Sequence, residues 1–106
     1  MPEILPGTLA MLVLKSLAVQ PMHGYAIAQH LERLSEGVLR LQEGTLYPAL
    51  QSMEVKGWVK SEWRLSPTKR RARYYAITPS GRKQLAADAR EFDQVVAAVS
   101  KIMKPA

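Results

Sequence analysis

Apolar residues recur three and four apart along most of this chain, and the stretches where they do so predict four helices. The first lies over "LAMLVLKSLA", residues 9–18, with Thr8 placed to cap it. Leu9, Met11, Leu12, Val13, Leu14 and Leu17 leave almost no polar face, so burial on more than one side is expected. "QPMHG" interrupts the pattern. A second helix runs over "YAIAQHLERL", with Ile27, Ala28, Leu31 and Leu34 inward and Gln29, Glu32 and Arg33 outward, and "SEG" ends it at Gly37. "VLRL", residues 38–41, reads as a short strand.

The third helix lies in "EGTLYPALQSMEVKGW", where Pro48 sits among Leu46, Leu50 and Met53 at helical spacing. With Thr45 as N-cap, Leu46, Tyr47 and Pro48 occupy the first three helical positions. Amides there have no partner within the helix, so a residue without an N–H loses nothing. Gly57 supplies the stop. The outward set is Tyr47, Pro48, Gln51 and Glu54. An outward tyrosine and proline in the first turn suit contact with another molecule, or cover for a neighbouring loop.

Beyond Gly57 the chain turns aromatic and branched, and "WVKSEW" and "ARYYAIT" read as strands joined by a turn at "SPTKR". Trp58 and Trp63 are expected to pack this hairpin onto the body, with Tyr75 and Ile77 at matching parity. Which of Tyr74 and Tyr75 faces outward depends on the turn and stays open. Thr78 and Pro79 then make a cap and first position for a fourth helix, Lys101 and Lys104 suit its negative end, and Pro105 stops it. Within it Leu85, Ala89, Phe92, Val96, Val99 and Met103 are spaced 4, 3, 4, 3, 4. That is a heptad seam over about 36 Å of helix. So long a helix packs poorly on a small core, so its seam is expected to meet a second copy; the alternative is that it folds back on its own domain.

Composition narrows the function. The chain has 106 residues, 47% of them hydrophobic and 23% charged, which suits one globular domain. There is no cysteine, hence no thiolate chemistry. The opening "MPEILPG" is acidic where a signal peptide would be basic, and "LAMLVL" is too short to span a bilayer, so a soluble, cytoplasmic protein without membrane contact is expected. The net charge of +6 is local: Lys56, Lys60, Arg64, Lys69, Arg70, Arg71 and Arg73 stand against the single acid Glu62, so the rest of the chain is neutral. No catalytic residue, metal ligand or cofactor is expected. His23 and His30 lack a third ligand at metal-like spacing, no pair of carboxylates is arranged for acid–base work, and no glycine-rich phosphate loop is present.

Helix, turn, amphipathic helix and basic hairpin, in that order, is a winged helix-turn-helix: a mainly α fold with a small β-hairpin wing, here with a long C-terminal dimerisation helix. The boundaries are residues 1–78 for the DNA-binding domain and 79–106 for the dimerisation helix, the two forming one compact unit. The third helix would enter the major groove, with Tyr47, Pro48, Gln51, Thr45 and Ser52 reading shape and base edges. Arg64, Lys69, Arg70, Arg71 and Arg73 would supply the salt-dependent contact to phosphates. Amides near His23 and Gly24 offer a further phosphate site. The same basic wing would also suit a protein-interaction module with an acidic partner.

Over about Leu9 to Leu85 the sequence resembles the PadR family of bacterial transcriptional regulators. The resemblance is carried by "HGYAI", "EGTLYPAL", "ME" followed by "KGW", and "RRARYYAITPSGR". It implies a homodimeric repressor on a pseudo-palindromic operator, with the third helix reading double-stranded DNA, the wing touching the backbone and the last helix dimerising. It also implies that a small-molecule effector, where one acts, is sensed between the first and last helices. Ser52 departs from the family, which often has a basic residue there.

Overall fold

The computed structural model describes residues 7–105; the reading of the opening segment as lacking a leader falls on residues outside them. Helix α1 spans Thr8–Val19, strand β1 Met22–His23, α2 Gly24–Leu34, α3 Glu43–Val55, β2 Val59–Leu65, β3 Arg71–Ile77 and α4 Pro79–Met103. The three strands form one antiparallel sheet in the order β1-β3-β2. Mainly α with a β wing and a long last helix is the architecture expected from the pattern.

The core lies where α1, α2, α3 and the root of the sheet converge. Val13, Leu14 and Leu17 of α1 meet Ile27 and Leu31 of α2, Leu46, Leu50 and Met53 of α3, and Val59 and Tyr75 of the sheet. Ser16 is buried within it, with its hydroxyl satisfied by the Leu12 carbonyl at 3.0 Å. Leu34, expected inward, is exposed because α2 ends there.

Helix ends account for most of the local differences from the sequence reading. The N-cap of α1 is Gly7, in the left-handed conformation with φ +85°, and Thr8 is the first helical residue rather than the cap. Residues 38–41 form no strand; the backbone there leaves α2 through a left-handed Glu36 and Gly37. Gly37 N–H donates to Glu32 C=O and Glu36 N–H to Arg33 C=O, the paired bonds that close a helix C-terminus. The end of α3 is built the same way, with Trp58 N–H on Met53 C=O, Gly57 N–H on Glu54 C=O and Gly57 at φ +79°, as expected of that glycine.

The start of α3 corrects the proline account. Helical structure begins at Glu43, with Gln42 as N-cap and Leu46 N–H bonding Gln42 C=O at 3.1 Å. Thr45 is therefore inside the first turn, and Pro48 lies in the second. There it removes the bond that the Gly44 carbonyl would have accepted. Glu43 at the first position favours the earlier start, since a carboxylate suits the positive end of the helix.

At α4, Thr78 and Pro79 occupy the positions expected of them: the Thr78 hydroxyl accepts from Gly81 N–H at 3.0 Å. Thr78 also joins α4 to the end of α3. Its hydroxyl donates to Gly57 C=O at 2.6 Å and its N–H to Trp58 C=O at 3.0 Å.

Candidate nucleic-acid interface

Between the outer face of α3 and the wing runs an open cleft of about 760 Å³. Tyr47 and Gln51 form its α3 wall, His23, Tyr25, Ala26 and Gln29 its floor, and Trp63, Arg70, Arg71 and Arg73 with the turn at Ser66–Thr68 its far wall. Thr45, Pro48 and Ser52 lie exposed on α3 outside this lining, and Lys69 sits in the wing turn with φ +62°. Gln51 is exposed and its side chain forms no hydrogen bond among the described residues, so its side-chain amide is free for a partner.

Tyr47 is held by a glycine. A Cβ on Gly24 would come within 3.0 Å of the Tyr47 ring and hydroxyl, so the phenol end of the side chain lies close against the first residue of α2 while Tyr47 remains 39% exposed. Part of Tyr47 thus covers the first residue of α2 while the side chain also lines the cleft. Burial, with a smaller push from the Glu43 carboxylate, raises its phenol above the ordinary value of 10.0. It stays neutral at physiological pH. At the start of α2 one amide is already taken, Ala26 N–H by His23 Nδ1 at 3.1 Å, and Tyr47 lies against Gly24.

The sheet register settles the wing. Ser61 faces Tyr75, and Glu62 faces Tyr74. Tyr75 turns into the core, 3% exposed, while Tyr74 lies on the outer face under the Arg64 guanidinium, 5.0 Å from the ring centroid. Arg64 also pairs with Glu62 at 2.7 Å, so it stands on the side of the sheet away from α3. Trp58 packs against the core as expected, but Trp63 does not. It shares the inner face with Val59 and Tyr75, yet β2 carries it past the body, and it is 55% exposed in the cleft.

Arg73, opposite Trp63 in the sheet, is tied to the body: Nε donates to Ser61 Oγ at 2.8 Å, and the guanidinium lies 3.8 Å from Glu54 Oε2. Ser61 in turn donates to that carboxylate at 2.7 Å. The end of α3 is thereby linked to the middle of the wing, a link that no sequence spacing reveals. Among the described residues no group of three or more His, Cys, Asp or Glu is placed to hold a metal ion, and no helix is long and apolar enough to cross a membrane.

The seam of α4 divides. Leu85 packs against the core and Ala89 is half-buried, whereas Phe92, Val96, Val99 and Met103 are exposed in the single chain. Val95 and Ile102, outside the heptad, are exposed as well and widen the apolar face to about 120° of the helix.

A helix with a free outer face beside a basic hairpin defines a winged-helix protein of the DNA-binding class. Residues 13–87 match the Transcriptional regulator PadR-like family, and the chain belongs to that family. It is 35% identical over 83 residues to Transcriptional regulator Rv3488 of Mycobacterium tuberculosis, covering 78% of this chain and 74% of that one. It is also 42% identical over 79 residues to an uncharacterized 37.1 kDa protein in transposon TN4556 of Streptomyces fradiae, covering 74% of this chain and only 21% of that longer protein. Among solved structures, a transcriptional regulator from Clostridium thermocellum superposes with a TM-score of 0.84 at 28% identity, over 92% of each chain. A PadR family regulator from Eggerthella lenta gives 0.78 at 30% identity, over 94% of this chain and 85% of that one. The chain is thus a DNA-binding transcriptional regulator rather than an enzyme.

Proposed function

We propose that the protein represses transcription as a homodimer, seating α3 of each copy in the major groove of a pseudo-palindromic operator. The observation that carries this reading is the cleft between α3 and the wing, with Tyr47 and Gln51 on one wall and Arg70 and Arg71 on the other. Gln51 offers the donor and acceptor that match adenine, while Thr45, Pro48 and Ser52 extend the contact along the outer face of α3. Arg70, Arg71 and Lys69 supply the phosphate term. With roughly 6 phosphates neutralised per dimer, log K falls against log salt with a slope near −5.

Pairing of two copies is supported by the apolar residues that the distal half of α4 leaves in solvent. Two-fold symmetry then sets half-sites about one helical turn apart. Relief of repression by a small molecule belongs to the crevices beside α1 and α4, one of about 420 Å³ lined by Met11, Leu12, Leu85 and Ala89 and one of about 450 Å³ lined by Met11, Phe92, Val95 and Val99.

Footprinting on the DNA upstream of the protein's own coding sequence, with competitor DNA present, tests the reading. The expected result is protection of two symmetric half-sites. A protein that retards no duplex but captures an acidic protein surface would favour the interaction-module alternative.

A further inference from the structure

On the inner face of the wing the Trp63 indole has two guanidiniums beside it. The guanidinium carbon of Arg71 lies 5.2 Å from the Trp63 ring centroid and that of Arg73 lies 5.6 Å away. The two arginines differ in what else holds them. Arg73 is fixed by Ser61 and Glu54, so its charge is partly spent within the protein. Arg71 is exposed and pairs with no acid among the described residues. A guanidinium on an aromatic face keeps its edge N–H groups free while its orientation is restricted. Trp63 itself is more than half exposed on the cleft wall.

Resting on the reading that the cleft holds duplex DNA, we propose that Trp63 packs against a deoxyribose of the strand passing between α3 and the wing and positions Arg71 on the adjacent phosphate. Arg73 acts as the anchored support of the stack rather than as a phosphate ligand. The sugar is the apolar part of the backbone and matches the exposed part of the indole. The phosphate beside it matches the one stacked arginine with its charge uncommitted. The contact is independent of sequence, so it governs affinity and the seating of α3 rather than the choice of base.

The test measures binding of a labelled random-sequence duplex, as a function of salt, to the full chain carrying Trp63→Ala, Arg71→Ala or both. Trp63→Ala is expected to weaken binding about tenfold at low salt. It should also shallow the salt slope by about two for the dimer, although no charge has been removed, because Arg71 of each copy no longer reaches its phosphate. The double variant should bind more weakly than Arg71→Ala by the sugar contact alone, and so lose less than the product of the two single losses, because removing Trp63 already releases Arg71. Independent multiplication of the two effects, or a Trp63→Ala variant that keeps both affinity and slope, overturns the proposal while leaving the DNA reading intact. A wild-type protein that binds no duplex overturns both. Trp58→Phe, which leaves Trp63 the sole indole, gives a direct readout: its emission should be quenched on adding the duplex, and unchanged emission at saturation counts against the contact.

Discussion

Replacing Gly81 by alanine should destabilise the protein strongly, although the substitution improves helix propensity. Gly81 is the third residue of α4, where alanine would by itself favour the helix by up to about 1 kcal/mol. The added Cβ, however, would lie 2.1 Å from the Trp58 carbonyl oxygen and 2.9 Å from Ile77 Cγ1. Restoring ordinary separation requires α4 and the end of α3 to part by about 1 Å. The bonds in the way are the ones that join these elements: Thr78 N–H to Trp58 C=O at 3.0 Å and the Thr78 hydroxyl to Gly57 C=O at 2.6 Å. Overpacking of this kind costs about 1–3 kcal/mol, and each weakened hydrogen bond about 1 kcal/mol. After the propensity gain the net loss is about 2–4 kcal/mol.

Urea unfolding at a fixed protein concentration measures it, the concentration being held because the stability of a dimer depends on it. The midpoint should fall by about 1–2 M. Two other glycines calibrate the result. A Cβ at Gly57 meets nothing within 4 Å but would hold alanine at φ +79°, costing about 1–2 kcal/mol. A Cβ at Gly44 also meets nothing, at ordinary helical φ, and should be neutral or stabilising. The expected order of midpoints is Gly44→Ala, wild type, Gly57→Ala, Gly81→Ala. A Gly81→Ala protein as stable as wild type would refute the claim that close backbone approach fixes α4 to the wing domain.

Three further outcomes concern the interface. Gln51→Ala should cost about 1–3 kcal/mol at one base position and relax the preference there, as read by binding to operator variants; an unchanged preference removes Gln51 from base readout. Replacing Arg70 and Arg71 together by alanine should weaken binding to all duplexes about equally and shallow the salt slope by about one for each phosphate no longer neutralised; an unaltered slope refutes the wing assignment. Val96→Glu places a carboxylate on the apolar face of α4 and should shift the protein toward monomer in sedimentation without loss of helix content, and an unchanged mass rules that face out as the dimer seam.

Much of this molecule is legible in its sequence because long periodic elements dominate it. Leu46, Leu50 and Met53 mark the inner stripe of α3, and Thr78–Pro79 and Gly57 mark ends by side-chain chemistry that acts locally. What sequence misses is set by contacts across the fold. Strand β1 has two residues, too few for any period, and exists only because Met22 and His23 lie opposite Tyr75 and Tyr74. Thr45 is the better capping residue, yet α3 begins at Glu43, because cap preference of about 1 kcal/mol yields readily to tertiary placement. Parity put Trp63 on the face of Tyr75 correctly, but parity does not say where along a strand the body ends. The cleft lies beyond that point. The arginines of the wing look alike in sequence, whereas Arg64 turns to the outer face, Arg73 is held by Glu54 and Ser61, and Arg71 alone stacks freely in the cleft.

Those same contacts explain how a chain with a modest core can present a probe at a defined angle. A recognition helix is useful only if its pose relative to the wing, and to its copy in the proposed dimer, is fixed to within the tolerance of a hydrogen bond. In this protein α3 is held at three places. Its first turns rest through Tyr47 on Gly24, its end is tied to the wing through Glu54, Ser61 and Arg73, and the carbonyls of Gly57 and Trp58 just beyond it accept from Thr78 at the root of α4. The third attachment places the helix that would join the copies one residue from the sheet that carries the wing. A ligand of the proposed kind beside Met11 and Leu85 would act on α4, whose root is hydrogen-bonded through Thr78 to the segment that follows α3. Rigidity at that junction is what would let a change at the dimer body alter the spacing of the two recognition helices.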